Sequence, residues 1–137
     1  MILEILIGIV GAIILIIAGI KLYPHKMPLV WSQGLFFAAL IYVGFAAFGQ
    51  NTEWIKIELL GVLIYGAFAW LAVKKSVLFL SAGWGLHVLW DILLHPGGHP
   101  GYVPNWYPGA CLGFDIVIAA FFVWYYMDKK KMPSANE

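Results

Sequence analysis

The chain has 137 residues, 63% hydrophobic and 11% charged, with a mean hydropathy of +0.88 and a net charge of +1. So few charges cannot cover a soluble domain of this length, which leaves lipid as the expected solvent. The near-zero charge excludes an electrostatic nucleic-acid binder, and the single cysteine, Cys111, excludes an intrachain disulfide and a cysteine-only metal site.

The first element, "MILEILIGIVGAIILIIAGIKLY", has no positive residue ahead of its apolar run and carries Glu4 there instead. No small-residue cleavage pattern follows, so it is expected to be a retained helix rather than a secretion signal. A helix crossing the hydrocarbon core needs about 20 mostly apolar residues. Five segments qualify: 2–20, 28–49, 54–73, 76–95 and 109–127. Short polar joints, "KLYPHK", "QNTE" and "KK", separate the first four. The only long connection, "PGGHPGYVPNWYP" over 96–108, has four prolines and three glycines and is expected to fold irregularly over the membrane face. Residues 1–127 are thus expected to form one transmembrane domain, and 128–137 a polar, unstructured cytoplasmic tail.

Threading five spans puts Lys21, Lys26, Lys74, Lys75, Lys129, Lys130 and Lys131 on one side and Lys56 alone on the other. Positive charge stays in the cytoplasm, so the N-terminus is expected outside and the C-terminus inside. Aromatics follow the same division. Tyr23, Trp31, Trp70, Trp124, Tyr125 and Tyr126 would mark the inner interface, and Trp54, Tyr102, Trp106 and Tyr107 the outer one. The expected fold is an all-α bundle of five transmembrane helices in the plasma or inner membrane.

Span four carries the chemistry. From its cytoplasmic start, His87 lies about 16 Å in, Asp91 about 22 Å and His95 about 28 Å. Spacing of four steps the face by only about 40° each time, so the three side chains form a ladder, with Ser81 and Trp84 on nearly the same stripe. Span five starts near Asn105, a candidate cap, with Pro108 in its first turn, and places Asp115 about 10 Å below the outer surface. Glu58 in span three lies at a similar level, and Glu4 begins span one on that side. An ionised carboxylate at a helix centre costs about 2.5–3.5 kcal/mol on insertion scales. There is no arginine to pair with Asp91 and Asp115, and Lys56 is the only lysine near. Their partners must be the histidines, water, hydroxyls or a bound cation.

Three uses of these residues stand side by side: a metal site, a proton-sharing site and an interhelical hydrogen-bond cluster. In the first, His87, Asp91, His95 and Asp115 are ligands and His99 reaches in from the loop, since Pro96 and the glycines end the helix before it. Imidazoles with carboxylates suit Zn²⁺, Fe²⁺ or Mn²⁺, with zinc taken first. Gly109 and Gly113 form a G-x-x-x-G, expected to pack against span four and, as a second use, to serve a homodimer. Trp84 and Trp90 are candidates for an apolar substrate slot as well as for the core or the lipid face. Cys111 is expected to be a packed small residue, and Ser32 and Gln33 to be interfacial. No phosphate-binding glycine loop or Ser-His-Asp order is present.

With "GLHVLWDILLH … VPNWYPGACLGFD", residues 85–115, the chain resembles a family of small bacterial and fungal integral membrane proteins of unknown function. Its features are an H-x-x-W-D-x-x-x-H segment, a Pro/Trp-rich loop and a C-x-x-F-D-like segment. Here these are His87, Trp90, Asp91, His95, Trp106, Cys111, Phe114 and Asp115. The resemblance supports those positions and implies no activity. More distantly, His87-x-x-x-Asp91 is similar to the zinc-holding H-x-x-x-D element of alkaline-ceramidase and adiponectin-receptor-like membrane hydrolases. Their H-x-x-x-H element would fall on His95 and His99, where "PGG" interrupts it, and they have more spans than five. That similarity is an analogy of mechanism.

Taken together, the expectation is an outward-opening polar pocket between spans three, four and five, roofed by 96–108 and holding a divalent ion. Metal-activated water would attack a lipid-like or amide substrate, with Asp115 or Glu58 as the proton acceptor. The alternatives are transport or binding of protons or metal ions, which lacks a polar path below His87, and a structural subunit. The partners implied are the bilayer, a lipid-like substrate and a second copy of the chain.

Overall fold

The computed structural model describes residues 1–96 and 102–131, and of Lys131 the backbone alone. His99 and the end of the tail lie outside the described residues. Five helices follow in order: α1 (Ile2–Leu22), α2 (Met27–Phe48), α3 (Thr52–Lys74), α4 (Leu78–Leu94) and α5 (Tyr107–Lys131). The protein is all-α, and α1, α2, α3 and α5 are long and apolar enough to cross a membrane. At 17 residues, α4 is shorter than the expected 76–95. It measures about 26 Å against a hydrocarbon core of about 30 Å.

Local chemistry sets the boundaries. Pro24 cannot extend α1, and Pro28 sits in the first turn of α2, where a missing N–H costs nothing. The α2–α3 turn needs a left-handed residue, supplied by Gln50 at φ 53°, and the Asn51 side chain then caps α3 by accepting from Trp54 N at 3.3 Å. At the other end of the chain the helix overruns the expected limit at 127. Lys129 and Lys130 lie over the rings of Tyr125 and Tyr126 at 4.9 and 5.0 Å. Cations one turn beyond aromatic residues suit a helix C-terminus, so the polar segment starts as helix.

Along α1 most bulky apolar side chains face out and the small residues face in. α1 turns inward only Gly8, Ala12, Ile16 and Gly19, while Leu6, Val10, Ile13, Ile14 and Ile17 are exposed. A helix of a water-soluble protein shows the reverse pattern. Gly8 lies on Ala110 so closely that a Cβ there would strike its carbonyl oxygen, and Gly113 lies on Ile5 in the same way. The G-x-x-x-G of α5 therefore packs against α1, not against span four as expected. Gly113 is buried in that contact, which leaves no room there for a second copy.

α2 packs along α3, and α4 lies between α3 and α5. The main core gathers Ile16, Met27, Trp31, Leu35, Leu80, Trp84, Ile118 and Phe122. Trp31, expected at the inner interface, is 6% exposed and belongs to this core. A smaller cluster of Tyr42, Ala46, Tyr102 and Val103 closes the end of the bundle where the acidic residues lie.

Candidate metal centre

α4 turns Leu80, Gly83, Trp84, His87, Val88 and Asp91 inward, spaced three and four apart as one helical face requires. Opposite this face is α5, and Ser81 Oγ ties the two helices by donating to the Ala119 carbonyl at 2.7 Å. Two turns further along, His87 Nδ1 meets Asp115 Oδ2 at 2.8 Å and Asp91 Oδ2 at 3.6 Å. All three residues are at most 1% exposed. Tyr42 on α2 donates its hydroxyl to Asp91 Oδ1 at 2.6 Å. The rings of Tyr42, Tyr65 and Trp84 wall the imidazole at centroid distances of 5.9, 4.9 and 6.4 Å.

One imidazole N–H cannot satisfy two carboxylates. Asp91 Oδ2 and His87 Nε2 are both buried without a hydrogen-bond partner among the described residues. Lys56, the only lysine expected near, pairs with Glu53 at 2.9 Å on the surface. The missing positive charge is the kind of deficit a cation repairs. One donor atom each from His87, Asp91 and Asp115 lies within 4.8 Å of the others, so the group can hold a metal ion. Ligands bound at about 2.1 Å around a shared ion stand about 3–3.5 Å apart, and the 2.8 and 3.6 Å separations bracket that range.

The ladder does not continue into His95. That residue ends α4 at φ −126°, ψ 44°, off the helical path, and its Nε2 faces Glu58 Oε1 at 3.0 Å. Trp90 Nε1 donates to Glu58 Oε2 at 3.2 Å, and Tyr102 OH to Glu58 Oε1 at 3.4 Å. Burial, with the Glu58 charge beside it, pushes the Tyr102 phenol above its ordinary range, so it stays a donor. Two groups thus form where one was expected: His87, Asp91 and Asp115 in one, Glu58 and His95 in the other. The structure brings neither Glu58 nor His95 into the metal group. Tyr42 touches both, bonding Asp91 and stacking on the His95 ring at 4.4 Å and 15°.

Sequence reasoning missed Tyr42 and Tyr65. For Tyr42 the available signal was its hydroxyl, since intramembrane carboxylates need donors; Tyr65 donates its own hydroxyl to the Leu86 carbonyl at 3.2 Å and gives the site its ring. Trp90 donates to Glu58 and packs against the main core. Ser32, expected at the interface, is buried at 4% exposure, and nothing in the structure explains it; Gln33 is exposed as expected.

The Glu58 group lies on the α3–α4 side, and among the described residues two openings lie on the side of α1. A groove of about 640 Å³ runs between α1 and α2 and reaches Asp115. A second cavity of about 230 Å³, near Glu4, Ile92 and Asn105, reaches Asp91. No protein-family model, curated protein or solved structure matches the chain.

Proposed function

We propose that the chain is a multi-pass protein of the plasma or inner membrane that holds a divalent metal ion between His87, Asp91 and Asp115. The observation carrying this is the uncompensated pair of buried carboxylates on a single imidazole. With neutral His87 and both carboxylates ionised, a divalent cation makes the centre neutral overall, which is what an apolar interior requires. One nitrogen and two oxygen donors form a harder set than the expected pair of histidines. That moves the preference from zinc toward manganese or iron(II) while keeping zinc within range.

The use we propose is hydrolysis of a lipid-like ester or amide. A divalent ion in this position supplies Lewis acidity, which activates water and polarises a carbonyl. The chain's own groups then have separate tasks. Tyr42 fixes the Asp91 carboxylate through its hydroxyl, and Tyr65 and Trp84 exclude water from the imidazole. Asp91 borders the second cavity, which is the side from which water would reach the centre. Glu58, bonded to Tyr102 and Trp90, is placed to hold the end of the bundle closed. Membership of the small membrane-protein family that the sequence resembles, and an N-out, C-in orientation, belong to the same proposal.

Elemental analysis of the detergent-purified protein tests it. About one equivalent of a transition metal per chain is expected, lost in Asp91→Ala and Asp115→Ala and retained in Glu58→Gln. A metal-free wild type that folds normally would overturn it and leave the proton-sharing site and the hydrogen-bond cluster.

A further inference from the structure

The groove between α1 and α2 is absent from the sequence pattern. Gly8, Gly11, Gly19 and Gly34 line it, together with Trp31 and Trp84, and at Gly11 a side chain would meet only Phe114 at 4.0 Å. It runs along α1 from Ile7 to Tyr23, about 24 Å, and its walls are apolar until Tyr107, Cys111 and Asp115 at one end. A charged or polar solute would find no partner along most of this length. A transmembrane helix of about 10 Å diameter and similar length would displace more than twice the groove's volume, so a second copy cannot seat inside it. What fits is a single flexible apolar chain with one polar end.

We propose that this groove seats the acyl chain of a long-chain ester or amide, its carbonyl at the Asp115 end and its methyl end near Tyr23. The position of the carbonyl rests on the metal centre proposed above; the position of the chain rests on the groove alone. The cluster then lies between the two parts of such a substrate. Asp115 borders the acyl groove, and Asp91 borders the smaller cavity toward Asn105, open to the departing head group and to water.

This register differs from that of an ordinary leaflet lipid. Asp115 lies eight residues into α5, about 12 Å from its first residue. A leaflet lipid keeps its head at the helix ends and its chain stops near the midplane. The seated chain starts inside the hydrocarbon layer and reaches the opposite interface.

Photolabelling with two diazirine fatty acids reads the register directly. One carries the diazirine beside the carboxyl, the other at the methyl end; the free acid stands in for the acyl half of the substrate. Labelled peptides are mapped by mass spectrometry and metal content is measured in the same sample. The first probe is expected on Cys111–Asp115 and Gly8–Gly11, which lie at one level, the second on Gly19–Tyr23. Gly11→Phe should lower both by about tenfold or more with metal content unchanged, because a Cβ there meets only Phe114 Cδ2 at 4.0 Å and the ring enters the groove. Methyl-end labelling confined to the middle of the helices or to outward-facing Ile13 and Ile17, or no response to Gly11→Phe, would overturn the groove. Correct labelling on a metal-free protein would uphold the groove and remove the metal centre instead.

Discussion

Tyr42 is in contact with both buried polar groups, and its hydroxyl contributes a short bond to a carboxylate whose basic neighbour, His87, stands 3.6 Å away. Groups that orient metal ligands are worth about 10–100-fold in metal affinity when removed. Tyr42→Phe is therefore expected to fold and to bind metal about 10–100-fold more weakly, measured by competition with a chromophoric chelator. Trp90→Phe is the contrasting change. It takes a donor from Glu58, at 3.2 Å, without touching the His87 group. Its cost is about 1–3 kcal/mol of stability, the range for a buried acceptor losing a partner, with metal affinity unchanged. Equal effects of the two substitutions on affinity would mean that the groups act as one site, contrary to their separation here.

Among elements, α1 and α5 depend on the glycines that let their backbones meet. Gly113→Leu drives a side chain into the Ile5 carbonyl and is expected to separate the pair, opening both cavities and lowering the melting temperature sharply. Gly85→Ala meets nothing within 4 Å. It should be neutral or stabilise by up to about 1 kcal/mol, the difference in helix propensity. Comparing the two melting curves in detergent checks both. Such contacts also show what could be read in advance. The apolar runs and the polar or proline-bearing joints between them predict all five helices to within a few residues, because length and hydropathy are local properties. The joint inward placement of His87 and Asp91 is legible because a spacing of four fixes a shared face. The departure of His95 is not, since it depends on where α4 stops and its backbone leaves the helical path. Nor is the seat of the G-x-x-x-G legible, because small residues state that something approaches closely without stating what. Tyr42 reaches Asp91 only through the placement of α2 across α4, which no periodicity encodes.

For the whole molecule, charge is the organising quantity. Seven of the eight lysines lie where α1 meets α2, where α3 meets α4, and at the end of α5, while the buried carboxylates gather at the opposite end of the bundle. A reporter that fluoresces only in the cytoplasm should therefore be active when fused after residue 137 and silent when fused before Met1. The same bookkeeping governs stability. In the metal centre proposed above, a divalent cation bound by the folded form offsets the charge of the two buried carboxylates. Ligand that binds only the native state stabilises by about 2.7 kcal/mol at a hundredfold excess over its dissociation constant, so a chelator should lower the melting temperature of the wild type. Asp91→Asn with Asp115→Asn replaces both charges by neutral groups of nearly the same shape. The double variant should fold without metal, melt at or above the chelated wild type and show no response to chelator. The single variants retain one uncompensated carboxylate and should be the less stable proteins, since an unpaired buried charge costs more than a neutral isostere. If the double variant were instead the least stable of the four, the carboxylates would be stabilising the bundle through hydrogen bonds alone, and the metal centre would have no role in its folding.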